Sequence, residues 1–219
     1  MTKKIRVYGI VQGVGFRPTV SRHASAAGIT GNVCNKGPYV EIFAEGSEEC
    51  VHSFIKQIQE EPPKRAVILK LDVENVESGE DGIHKVESET DSKEKFQIIE
   101  SEKEEGEIFV SPDIAICPEC KKELYDKNDR RYLHPFINCT CCGPRLTILD
   151  SMPYDRVRTS MGEFPMCEKC EYEYTHAETR RFDAQPVCCN DCGPEVYLLG
   201  RKERGADAIR YTRKVISEG

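Results

Sequence analysis

Two sets of residues in this chain have the types and spacing to do chemistry. The first is Val11-Gln12-Gly13-Val14-Gly15-Phe16-Arg17-Pro18, directly behind an alternating run from Ile5 to Ile10. Glycines let the N–H groups of a turn point inward without Cβ clashes, and a helix start near Pro18 adds partial positive charge. Gln12, Gly13, Val14, Gly15 and Phe16 therefore outline an anion cradle, with Arg17 at its lip to grip phosphate oxygens bidentately. The second set is Cys117-x2-Cys120-x18-Cys139-x2-Cys142, which recurs 50 residues later as Cys167-x2-Cys170-x18-Cys189-x2-Cys192. Each C-x2-C pair puts two thiolates on one side of a metal, and four complete a tetrahedron with no open position. The spacing predicts two structural zinc ions.

The repeat extends past the cysteines. Arg130-Arg131 matches Arg180-Arg181, Tyr132 matches Phe182, and Gly143-Pro144 matches Gly193-Pro194, for 9 identities in 28 positions. This is an internal duplication, and a module of this size needs metal in place of a larger core. Redox dithiols or an iron–sulfur cluster fit the paired spacing poorly. Cys141 and Cys188 have no counterpart, since Asp191 and Asn138 stand there, and they read as bystanders. His134 and His176 are unmatched as well and are left out of the sites.

The elements that must position the cradle follow from periodicity. Behind it, Val20, Ala24 and Ala27 share a helical face that ends at Gly28, with His23 beside the stripe as an ordinary helix residue. Residues 29–35 and 39–44 read as strands joined by Lys36-Gly37-Pro38. Ser47 caps a second helix striped by Val51, Phe54, Ile55 and Ile58, which Pro62-Pro63 ends. Val67, Leu69, Leu71 and Val73 alternate as a fourth strand, and 96–99 make a fifth. The order β-α-β-β-α-β plus a closing strand is an α+β, ferredoxin-like arrangement, one antiparallel sheet with two helices on one face. Cys34 should point away from the face of its neighbour Asn35 and, like Cys50, reads as a packed thiol.

The formal charge of −7 is unevenly spread, with +3 over residues 1–73, −9 over 74–107 and −2 over 117–194. Residues 78–95 and 101–107 are polar and acidic, and read as solvated connection. Eight thiolates and two zinc ions would bring 117–194 to −6, the wrong sign for nucleic acid, although the Arg pairs leave room for a small local patch. No apolar segment follows the start and no apolar run approaches ~18 residues, so neither a secretion signal nor a membrane span is expected. Paired C-x2-C spacing without a signal favours metal over disulfides and a cytoplasmic location.

These residues also carry a resemblance. Val7-Tyr8-Gly9-Ile10-Val11-Gln12-Gly13-Val14-Gly15-Phe16-Arg17 resembles the acylphosphatase signature, and Gly31-Asn32-Val33-Cys34-Asn35 that family's second motif. It implies that the amides of Gln12 to Phe16 and the Arg17 guanidinium hold the phosphate of an acyl phosphate. It also implies that Asn35 orients the attacking water, so that Arg17 and Asn35 are the catalytic residues. Further on, Ser111-Pro112-Asp113-x-Ala115-x-Cys117, Pro135-Phe136-Ile137-Asn138-Cys139, Gly143-Pro144-Arg145, Met152-Pro153-Tyr154-Asp155-Arg156 and Arg180-Arg181-Phe182 are similar to the N-terminal part of the HypF family of hydrogenase-maturation carbamoyltransferases. One departure is Asp183, where that family often has His.

The resemblance implies an acylphosphatase-like domain at 1–100, an acidic linker at 101–116, a tandem zinc-finger domain at 117–194 and the start of a YrdC-like domain at 195–219. It implies carbamoyl phosphate as substrate, with phosphate split off in the first domain. It further implies ATP used in domains beyond this chain, and carbamoyl transfer to the partner protein HypE. A non-catalytic module that holds acyl phosphate and docks a partner through its zinc fingers is the alternative.

Overall fold

The computed structural model describes residues 1–76, 96–102 and 113–219. The acidic insertion at 78–95, most of 101–116 and the Ser111-Pro112 pair lie outside the described residues. Strand β1 (Thr2–Ile10) alternates as its sequence requires, with Ile5 and Val7 fully buried and Lys4, Arg6 and Tyr8 on the other face. Helix α1 (Phe16–Ala26), strands β2 (Thr30–Asn35) and β3 (Tyr39–Glu45), helix α2 (Glu48–Glu60), and strands β4 (Val67–Val76) and β5 (Phe96–Ile98) complete the first domain. The strands lie in the order β4-β1-β3-β2-β5, antiparallel except where β5 runs parallel to β2. This is the expected acylphosphatase-like α+β sheet. Val20 and Ala24 of α1 and Val51, Phe54 and Ile58 of α2 close one core with Ile5, Val7, Val33, Val40 and Ile42 of the sheet.

Helix α1 begins two residues before Pro18. Gly15 in the left-handed region (φ 79°) turns the chain straight into the helix, and proline is tolerated in a first turn whose N–H groups have no helical partner. Ser47 caps α2 as expected, accepting from the Cys50 N–H at 3.2 Å. β4 departs from its reading. Val67 and Leu69 are exposed, whereas Ile68 and Leu71 pack on the core. The register with β1 shifts between Tyr8 and Gly9, and one extra residue in a strand exchanges its faces.

The second part repeats at the level of the backbone. Helices α3 (Pro118–Tyr125) and α4 (Glu168–Thr175) each follow the first cysteine of a module. Leu133 (φ 53°) and Asp183 (φ 57°) occupy matching left-handed positions, and their N–H groups donate to the matching carbonyls of Leu124 and Tyr174 at 2.9 Å each. Between the modules run short 3-10 turns at Leu146–Ile148, Arg156–Arg158 and Ser160–Glu163. The last helix, α5 (Gly205–Glu218), buries Ala208 but leaves Val215 and Ile216 exposed. Among the described residues no helix is long and apolar enough to cross a membrane.

Candidate functional site

The turn between β1 and α1 leads into a helix whose first turn carries no acid and no side-chain cap. Its first N–H groups therefore meet no capping side chain, and the positive end of the helix dipole faces the turn. The Gln12 side-chain amide donates to the Gly37 carbonyl at 2.6 Å, which ties this turn to the loop directly after Asn35. Asn35, at the end of β2, is fully buried, yet neither its Oδ1 nor its Nδ2 has a hydrogen-bond partner among the described residues. A buried amide with both groups open costs about 1–3 kcal/mol per unmet bond unless water or a ligand meets it. One hydrogen bond thus ties the turn to the loop after the second motif, whose Asn35 carries a buried amide without a partner among the described residues.

Arg17 takes an environment that its local sequence did not reveal. The side chain is 8% exposed, with Nε 3.1 Å from Asp183 Oδ2 and Nη1 3.3 Å from Asp155 Oδ1. Nη1 also donates to Ser101 Oγ at 3.2 Å. Burial opposes the Arg17 charge, but Asp183 and Asp155 more than offset it. Burial pushes the Asp183 carboxyl above its ordinary range, against the pull of Arg17. Asp155 stands 138 residues from Arg17 in the chain, too far for spacing to signal the pairing.

The finger domain packs on the turn itself. A Cβ on Gly13 (φ 67°) would lie 2.6 Å from Pro144 Cβ, and one on Gly15 would lie 3.2 Å from Thr140 Cβ. Between them remains a cavity of about 20 Å³ lined by Gly13, Gly15, Arg17, Asn138 and Asp183, room for about one water. On the other side of Arg17 a cleft of about 400 Å³ is lined by Ser101, Asp155, Arg158, Tyr174 and Asp183.

Cys34 is a packed thiol, 2% exposed, and burial pushes it up to about 11 despite Lys36, so it is no nucleophile at neutral pH. His23 Nε2 lies 3.3 Å from the Glu61 carbonyl, an ordinary helix contact. Cys141 is exposed. Cys188, by contrast, is closed in by His134, whose Nε2 lies 3.0 Å from its Sγ and whose Nδ1 lies 3.0 Å from Asn190 Oδ1. Burial pushes His134 down to about 4, so the ring is neutral and serves as a packing contact between the modules.

The eight cysteines gather as expected into two clusters, Cys117, Cys120, Cys139 and Cys142, and Cys167, Cys170, Cys189 and Cys192. Sγ–Sγ separations of 3.6 and 3.7 Å in the first and 3.6, 3.8 and 3.9 Å in the second match the edge of about 3.8 Å of a tetrahedron with Zn–S bonds of about 2.3 Å. All four-sulfur donor sets of this kind leave a −2 charge once Zn²⁺ is bound. Each cluster meets it with two arginines of the other module. Arg180 donates to Cys120 Sγ at 3.2 Å and Arg181 to the same sulfur at 3.9 Å, and both bind Glu123. Reciprocally, Arg130 and Arg131 donate to Cys170 Sγ at 3.2 and 3.6 Å, and both bind Glu173. Burial alone would raise Glu123 and Glu173, but the arginines hold both below the usual carboxylate range. The Arg pairs are thus engaged within the chain, not gathered as a patch for nucleic acid.

This exchange makes a prediction. Arg131→Ala, a change in the first module, is expected to speed zinc release from the second cluster about tenfold, because outer partners of metal ligands typically hold 10–100-fold in affinity. Release followed with a chromogenic chelator should then split into a fast and a slow half. Uniform release at the wild-type rate would show the contact to be idle.

Comparison with known proteins agrees with this division. The acylphosphatase family model matches residues 3–98, and the HypF finger matches twice, at 116–149 and 166–199. A probable carbamoyltransferase HypF of Methanocaldococcus jannaschii is 48% identical over 158 residues, which is 71% of this chain and 19% of the relative. An acylphosphatase of Caldivirga maquilingensis is 46% identical over 80 residues, 36% of this chain and 83% of that protein. Among solved structures, full-length HypF in a phosphate- and nucleotide-bound form superposes with a TM-score of 0.84 at 42% identity, over 99% of this chain and 27% of that one. HypF of T. kodakarensis does so at 0.79 and 38%, over 100% of this chain and 26% of that one. The chain spans about a fifth of the length of the curated carbamoyltransferases it matches.

Proposed function

We propose, from the premise that this chain belongs to the acylphosphatase family through its first domain and carries paired HypF fingers behind it, that it hydrolyses acyl phosphates and that carbamoyl phosphate is its substrate. The observation that carries the reading is the buried, unpartnered Asn35 amide, tied through Gly37 and Gln12 to the turn that ends in Arg17. In this reading the amides of Gln12 to Phe16 and the Arg17 guanidinium bind the phosphoryl oxygens. Asn35 holds a water in line with the phosphorus–oxygen bond to the acyl group. Water attacks phosphorus, that bond breaks, and carbamate leaves with inorganic phosphate as the other product. A carboxylate is a stable leaving group that needs no protonation at neutral pH, so catalysis is positioning and charge stabilisation without a protein nucleophile. A HypF structure that resembles nearly the whole chain is described as phosphate-bound, and phosphate is a product here.

The two clusters would each hold one zinc as a structural ion, with Cys117, Cys120, Cys139 and Cys142 on one and Cys167, Cys170, Cys189 and Cys192 on the other. The zinc would supply cross-links in place of a core. The carbamate would serve a longer carbamoyltransferase in which ATP is used by later domains and HypE receives the group. All twelve cysteines are free, which suits a reducing cytoplasm.

Phosphate release from carbamoyl phosphate and from acetyl phosphate tests this. Asn35→Ala should lower kcat about 100-fold with KM little changed, since Asn35 acts on the water and not on the bound phosphate. Undiminished kcat in that variant would remove Asn35 from the mechanism. Phosphate binding by the wild type without turnover of either substrate would leave only a holding module.

A further inference from the structure

We infer that Asp183 and Asp155, both carried by the finger domain, are positioning residues for Arg17, so that the acyl-phosphate site is shared between the two domains. The inference rests on the reading of Arg17 as a phosphate ligand.

A guanidinium is a planar fork with two usable edges. Asp183 stands as an ion-pair partner 3.1 Å from Nε on one edge, and Asp155 accepts from Nη1 at 3.3 Å on the other. Nη2 belongs to both edges and has no acceptor among the described residues. The plane of the fork is therefore set from two sides, and one NH₂ group is left for a ligand. An arginine without such partners keeps rotamer freedom that binding would have to overcome each time.

The two carboxylates are themselves held. Asp183 Oδ1 accepts from the Gln185 side chain at 2.8 Å. Asp155 Oδ1 accepts from Ser101 Oγ at 2.9 Å, and its Oδ2 from Arg158 Nη1 at 2.8 Å. The backbone at Asp183 does not depend on an aspartate, because Leu133 holds the same left-handed conformation in the first module. Only in the second module does this position meet Arg17. The duplicated scaffold thus supplies the place, and the residue type supplies the contact.

Two carboxylates beside an anion site also have a cost, since they repel a phosphate. Orientation and charge can therefore be separated by substitution. Asparagine keeps an oxygen beside Nε but drops the charge, whereas alanine drops both.

The experiment uses the full chain, with two zinc ions confirmed per molecule for each variant. It measures kcat and KM for acetyl phosphate, affinity for inorganic phosphate, and the ¹H–¹⁵N resonance of Arg17 Nε–H. Asp183→Asn should lower KM and the phosphate Kd about three- to tenfold and leave kcat within about twofold. Asp183→Ala should lower kcat about tenfold or more, and its Arg17 Nε–H signal should broaden by exchange with water. Asp155→Ala should lower kcat in the same sense through Nη1. Equal losses in the Asn and Ala variants, or wild-type kcat, KM and Nε–H signal in Asp183→Ala and Asp155→Ala, would overturn the inference. If the wild type turned over no acyl phosphate, the reading of Arg17 in catalysis would fall. Phosphate affinity and the Nε–H signal would still decide whether the carboxylates orient the side chain.

Discussion

Arg17→Ala is expected to lower phosphate release from carbamoyl phosphate by at least about 100-fold, a loss of about 2.7 kcal/mol of transition-state stabilisation. Two effects add. The first is loss of the guanidinium that offsets charge on the phosphoryl oxygens in a site shielded from water. The second comes from the neighbours, since Asp155 and Asp183 have side chains only 14% and 11% exposed and would lose their shared partner. Asp155 keeps Arg158, but stranding the buried Asp183 charge costs on the order of 3 kcal/mol, and the remaining negative field opposes the substrate. KM should therefore rise as well as kcat fall. Arg17→Lys separates the effects, because it keeps the charge and loses the fork. It should restore most of the binding and little of the rate. Steady-state kinetics on both variants, with zinc content as the control for folding, checks this. Full activity in Arg17→Ala would remove the cradle from the chemistry.

Zinc removal is expected to have the largest effect on stability. The buried cluster of the first module consists of Cys117, Cys120, Ile137, Cys139 and Cys142, and that of the second of Cys170, Ala184, Val187 and Cys189. The cysteines are thus four of five buried cluster residues in the first module and two of four in the second. Without metal, those thiols and the arginines facing them would be buried with little apolar contact to hold them. Structural zinc contributes about 10–16 kcal/mol per site in small modules, more than such a module has in any other form. Metal analysis should return about two Zn per chain. Chelation should abolish amide protection across 117–194 while the sheet domain keeps its own, because Ile5, Val7, Val33, Ile42 and Phe54 form a separate core. Iron in place of zinc, or protection that survives chelation, would overturn the metal assignment.

Much of this was legible because it is local or periodic. The cradle turn, its preceding strand and its following helix are consecutive in the chain, and glycines with a strand alternation announce them. The eight cysteines announce themselves by spacing alone, since a tetrahedral metal accepts few arrangements. The stripe of α2 was legible for the same reason. Val67 and Leu69 were not, because a single bulge opposite Tyr8 and Gly9 exchanges the faces of β4 partway along the strand.

The residue types at the glycine turn and at the cysteine clusters are thus written in the order of the amino acids, through short-range geometry and ligand chemistry. Which charges face them is not. Arg17 meets Asp155 and Asp183, and Arg130 and Arg181 meet the opposite cluster, only because two domains and two modules close on one another. Charge pairing acts through space over a few ångströms, whereas these partners lie 37 to 138 residues apart among the hydrogen-bonded pairs of the two sites. No period or spacing carries that information, and packing alone brings the carboxylates to the arginine.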